Sequence, residues 1–131
     1  MNNLTSYAAP VGRLFIAAIF ILSGVGKITG YTGTQAYMDS MGVPGALLPV
    51  VIALELLGGL AIVLGWQTRI VALLLAGFTL LSALLFHADF GDEMQRISFL
   101  KNVAISGGFL FLVAQGAGAF ALDRRDDGNQ S

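Results

Sequence analysis

The sequence predicts an all-α membrane protein, a four-transmembrane-helix up-down-up-down bundle with a short interfacial helix between helices 1 and 2. Three observations carry that prediction. Apolar runs recur at about residues 8–26, 45–65, 70–88 and 99–120, each near the length that crosses roughly 30 Å of hydrocarbon at about 1.5 Å of rise per residue. Charge is scarce: 7 Lys and Arg and 8 Asp and Glu among 131 residues, with a mean hydropathy of +0.78. A soluble chain this small exposes most of its residues and would not stay dissolved with that composition. Finally, the connections are short, which makes consecutive runs antiparallel neighbours. Little chain is left for an aqueous domain, so residues 1–131 read as one membrane domain.

The first run follows a short polar N-terminus with no Lys or Arg, which argues against a cleaved signal peptide. Arg13, Ala17, Phe20, Gly24 and Lys27 recur at spacings of four and three, placing them on one helix face. Lys27 sits near the helix end, where it can snorkel to the headgroups. Arg13 has only Leu14, Phe15 and Ile16 beside it, none of them a partner.

Between the first two runs, Thr34 to Pro44 reads as a short helix, with Thr34 as a possible N-cap and Gly42 just past its end. Tyr37, Met38 and Met41 would give it an apolar side, so it is expected to lie on the membrane surface. A lid over an interhelical pocket is the functional alternative.

The second run carries one charge, Glu55, near its centre. An ionised carboxylate there costs about 2.5–3.5 kcal/mol unless paired, hydrated or protonated. Arg13 is the expected partner, because a guanidinium can hold a carboxylate bidentately in a dry site. The structural alternative is a buried pair that only sets helix register. Gly65-Trp-Gln-Thr-Arg69 then forms a tight turn, with Trp66 in the aromatic belt and Thr68 able to cap the next helix.

The third run shows Ala72, Ala76, Thr79 and Ala83 along one face, leading to His87. Such a stripe lets helix backbones approach closely. Residues 88–98, with Asp89, Asp92, Glu93 and Arg96, read as a solvated loop. In the fourth run Lys101 and Asn102 lie about a turn inside, and Asn102, Ser106 and Phe109 share a face. Asp123-Arg-Arg-Asp-Asp opens a charged tail.

Arg69, Arg124 and Arg125, with the terminal amine, face Lys27, Arg96 and Lys101 across the bilayer, a narrow excess that favours both termini in the cytoplasm. The candidate ligand pocket is Arg13, Lys27, Glu55, His87, Lys101 and Asn102, with Glu55 and His87 as candidate catalytic groups. The net charge of −1 offers no basic cluster for nucleic acid. Without Cys, the chain carries no thiolate metal site, Fe–S cluster or disulfide chemistry. No metal is predicted.

Arg13-Leu-Phe, Gly24-Val-Gly-Lys27, Glu55-Leu-Leu-Gly-Gly, Gly65-Trp-Gln-Thr-Arg69, His87, Lys101-Asn102, Ser106-Gly-Gly108 and Asp123-Arg124 together resemble the DoxX family. The stretch from Gly30 to Gly45 is especially similar to its small bacterial inner-membrane members. The resemblance implies a multi-pass inner-membrane protein tied to quinone- or quinol-linked redox chemistry, with quinone as the implied cofactor and a membrane or peripheral redox enzyme as partner. Two other readings remain: a non-catalytic membrane scaffold for such an enzyme, and a small proton or solute conduit with Glu55 as relay. No inverted repeat supports transport by one chain.

Overall fold

A computed structural model describes residues 3–123. Helix α1 spans Asn3–Thr29, α2 Tyr31–Ser40, α3 Leu48–Leu64, α4 Thr68–Phe86 and α5 Glu93–Gln115, with a single 3₁₀ turn at Gly45–Leu47 leading into α3. All but α2 are long and apolar enough to cross a membrane. Large apolar side chains such as Phe15, Leu22, Leu57, Ile70 and Phe111 are exposed around the bundle, as expected where the surrounding solvent is lipid rather than water. The charged tail beyond Asp123 lies outside the described residues.

The helices pair as their small-residue faces dictate. α1 runs antiparallel to α3, with Gly24 against Leu56 and Gly59 against Ile21 and the Ala17 carbonyl. On α4, Ala72, Ala76, Thr79 and Ala83 are all buried, and the stripe packs against α5. There Ser106 donates to the Ala76 carbonyl and the Asn102 amide to the Thr79 carbonyl, both at 3.2 Å. Ala17, Phe20, Ile62, Leu75 and Phe109 fill the centre.

Helix ends depart from the sequence expectation where polar residues do the terminating. α5 begins at Glu93 rather than about 99, because the Asp92 carboxylate accepts from the Met94 amide at 3.0 Å and Glu93 suits the positive end of the helix dipole. Residues 93–98, read as loop, therefore form its first turns, while 88–92 remain a connection. The helix stops at Gln115, before 120, where Gly116 and then Gly118 adopt φ of +79° and +80°. α2 starts at Tyr31, with Gly30 at the N-cap position. Thr34 instead sits one turn inside and donates back to the Gly30 carbonyl at 2.9 Å.

One end of the bundle is tied together by Arg13. Its side chain is 1% exposed, and its fork donates to the carbonyls of Ile62 (3.3 Å) and Val63 (2.9 Å) at the end of α3, and of Ala119 (2.7 Å) and Phe120 (2.9 Å) beyond α5. A cation there complements the negative end of α3. Asp123 does the converse at the start of α4, accepting from the Gln67 and Thr68 amides at 2.7 Å each. The cap predicted for Thr68 thus comes from a distant carboxylate. Gly65, between these groups, has φ +70°, and an added Cβ would fall 2.7 Å from Arg13 Nη1 and 2.9 Å from the Ala121 Cα. Only glycine suits both the left-handed backbone and that approach.

Burial pushes the Asp123 carboxyl up, but the Thr68 hydroxyl beside it, the Thr68 and Gln67 amides and the Arg13 charge outweigh that and hold it below the ordinary carboxylate value. A lowered carboxyl stabilises the fold above its unfolded pKa of about 3.9 and loses that contribution as pH falls through the folded value. The stability advantage of wild type over Asp123→Asn is therefore expected to be full at about pH 6 and to shrink below about pH 4. Thermal unfolding in detergent across that range checks it; an advantage that stays constant would mean that the charge of Asp123 is irrelevant.

Candidate functional site

Away from that end, at the middle of α3, Glu55 faces the interior of the bundle and is 4% exposed. Its Cβ lies 3.6 Å from the position that a Cβ on Gly24 would occupy, so Glu55 is level with the C-terminal part of α1. Lys27 is the cation within reach there, with Nζ 2.9 Å from Glu55 Oε1. Lys27 also donates to Ser23 Oγ at 2.5 Å, one helical turn back on the same face. The expected Arg13–Glu55 pair does not form. The antiparallel register that sets Gly24 beside Glu55 brings the Arg13 guanidinium to Val63, about 12 Å further along the axis.

The ion pair lies on the wall of a cavity of about 610 Å³. Ile19, Phe20, Val51, Leu54, Phe78 and Ile105 make most of its surface apolar, and Ser23, Thr79, Ser82, His87 and Asn102 bring polar groups to it. Thr34, Tyr37 and Met38 of α2 close one side. That helix is held there by named contacts. The Tyr37 and Phe86 rings stack with centroids 5.5 Å apart, Asp39 accepts from the Gly45 amide at 2.8 Å, and Gln35 donates to the Gly45 carbonyl at 3.2 Å.

Of the six residues singled out from sequence, Lys27, Glu55, His87 and Asn102 therefore share one cavity. Lys101 lines a second, shallower cleft of about 400 Å³ together with His87 and Asn102. Arg13 lies at the other end, engaged with backbone. Sequence reasoning missed Ser23, Thr79 and Ser82 as cavity residues. Ser23 is recoverable from its i, i+4 relation to Lys27, and Thr79 reads in the sequence as part of a small-residue packing stripe. Nothing in the pattern marked Ser82. Among the described residues no three His, Asp or Glu side chains converge as a metal site would need.

Chemically, the arrangement offers a fixed ammonium, a carboxylate that can hold or release a proton, an imidazole and a carboxamide, all against an apolar wall. Asn102 spends one of its two N–H groups on Thr79, leaving further donor and acceptor capacity.

The DoxX family pattern matches residues 8–88, which include α1, α3, α4, Lys27, Glu55 and His87. The chain belongs to the DoxX family. It is 52% identical to the inner membrane protein YqjF of Escherichia coli (strain K12) over 95% of each chain. Inner membrane protein YphA of the same organism is 40% identical over 88% of this chain and 87% of its own length. CatD of Bacillus subtilis (strain 168), whose name provisionally describes an oxidoreductase, is 37% identical over 65% of this chain and 63% of its own. No solved structure gives a significant match. With inner-membrane relatives of nearly the same length and four apolar helices, this DoxX protein is a multi-pass inner-membrane protein.

Proposed function

We propose that this protein is a membrane component of quinone- or quinol-linked redox chemistry, and that the cavity beside Glu55 receives the headgroup. The observation that carries the reading is a Lys27–Glu55 ion pair, its carboxylate buried, on the wall of a largely apolar chamber. Its volume of about 610 Å³ is in the range of sites for drug-sized ligands, which are mostly apolar with a few convergent polar groups. A bound quinone supplies reversible two-electron, two-proton chemistry. The Lys27 ammonium can donate to a ring carbonyl oxygen, and Asn102 and His87 offer further hydrogen bonds across the cavity. Glu55 can accept from a hydroxyl and hold a proton, with Lys27 compensating its charge. The oxidoreductase name of CatD points the same way. The chain has no Cys, so a membrane or peripheral redox enzyme completes the electron path.

The charge excess at the termini supports an N-in, C-in orientation, which turns the cavity toward the outer face and lays α2 at that interface. A reporter fused after Ser131 is expected to work only in its cytoplasmic form; periplasmic activity would invert the arrangement.

Solvent extraction of the purified protein, followed by mass spectrometry, tests the ligand. Wild type is expected to retain quinone. Glu55→Gln is expected to retain at least about tenfold less, the loss of one charge-assisted hydrogen bond. Wild type free of quinone but co-purifying with a soluble dehydrogenase would favour the scaffold reading instead.

A further inference from the structure

The two clefts adjoin each other. Ile19, His87, Asn102 and Ile105 line both of them. The shallower cleft adds Ser98, Lys101 and Ala104 from α5, and its only wall from α1 is Ile19. It is therefore a gap between α1 and α5.

Why the gap lies at this end follows from how those two helices meet. They touch in the other half of the bundle, where Ile16 packs against Gly108 and the Phe20 and Phe109 rings meet edge-on with centroids 5.3 Å apart. Beyond them Ala9 abuts Gly118, and Arg13 binds the segment after α5. Next to these contacts, on the side toward Lys101, the cleft separates Ile19 of α1 from Ser98, Lys101 and Ala104 of α5. Ile19 and Ala104 stand exposed on its two sides. A cleft between two exposed transmembrane helices opens sideways into hydrocarbon.

We propose that the α1–α5 cleft is a lateral portal that holds the polyprenyl tail of the ligand whose headgroup lies at Lys27 and Glu55. This rests on the cavity being a headgroup site. A tail leaving that cavity must cross the protein wall somewhere. The cleft is the outlet that shares four lining residues with the chamber, whereas α2 closes another side through Tyr37, Phe86 and the Asp39–Gly45 tie. Ile19, Ala104 and Ile105 give the portal apolar sides, while Lys101 and Ser98 lie toward the end where headgroups would be. The tail thus stays in a medium like its own while the ring meets the polar groups.

The absence of native Cys allows a clean test. In Ile19→Cys/Ala104→Cys protein reconstituted in phosphatidylcholine liposomes, a bifunctional methanethiosulfonate can bridge the cleft, and reductant can remove the bridge. Uptake is measured for a benzoquinone with a polyprenyl tail and for its tail-less analogue. Bridging is expected to slow uptake of the tailed quinone at least fivefold and reductant to restore it, with the tail-less probe little changed. Ala104→Trp, which narrows the gap from a residue outside the main cavity, is expected to show the same selectivity without a cross-link. If both quinones enter the bridged protein and Ala104→Trp as they enter wild type, the portal is refuted and the headgroup site stands. An equal loss of both quinones refutes it as well. If unbridged wild type binds neither quinone, the headgroup reading itself fails.

Discussion

Arg13→Leu is expected to destabilise the protein by about 3–5 kcal/mol, a third or more of the stability of a typical domain. The guanidinium donates to four backbone carbonyls drawn from the end of α3 and the segment after α5. Leucine fills the space but removes a donor from each carbonyl; Ile62 keeps the Gly65 amide at 3.2 Å, and each of the others left unpaired costs about 1–3 kcal/mol where water does not reach it. Asp123 also loses its nearby positive charge. Arg13→Lys retains the charge without the planar fork and should fall between the two. Thermal unfolding in detergent measures the series. A leucine variant within about 1 kcal/mol of wild type would mean that these carbonyls are satisfied some other way.

The second large effect separates the two cations of α1, Lys27 and Arg13. Lys27→Met and Glu55→Gln are each expected to cost about 1.5–3 kcal/mol, because each strands a charge against a largely apolar wall. The double variant should lose clearly less than the sum, since neither charge remains. The coupling is held below that of a fully buried pair because the Lys27 side chain is 27% exposed. In contrast, Arg13→Lys and Glu55→Gln should be additive within about 0.5 kcal/mol, since they share no partner and lie about 12 Å apart along the bundle. Strong coupling between Arg13 and Glu55, with none between Lys27 and Glu55, would contradict the observed register.

The bundle was legible because its elements are announced by hydrophobicity alone. The runs around Glu55 and Leu75 could be little other than membrane helices, and the buried faces of α1, α4 and α5 follow from i, i+3 and i+4 spacing. Lys27, Glu55, His87 and Asn102 were legible for a related reason: polar groups inside apolar runs are rare and must be turned inward. What escaped was set by register and by backbone. Pairing Arg13 with Glu55 required knowing how far α1 slides along α3. That offset is fixed by Gly24, Gly59 and the length of the α2 segment, not by any charge pattern. The four carbonyls that hold Arg13 exist at every residue, so no side-chain motif advertises them. Asp123 capping α4 from 55 residues away is invisible to a rule that looks for caps next to the helix.

Among the described residues Arg13 hydrogen-bonds only to carbonyls, which also affects how the protein tolerates variation. A side-chain partner would have to change in step with the arginine, whereas a carbonyl survives any replacement at positions 62, 63, 119 and 120 that leaves the backbone in place. Selection on this contact therefore falls on position 13 and on Gly65, whose missing side chain makes room for the guanidinium. A saturation-mutagenesis map would record intolerant columns at positions 13 and 65, while positions 62, 63, 119 and 120 vary without reference to the arginine. Methods that infer proximity from paired substitutions would miss these four contacts.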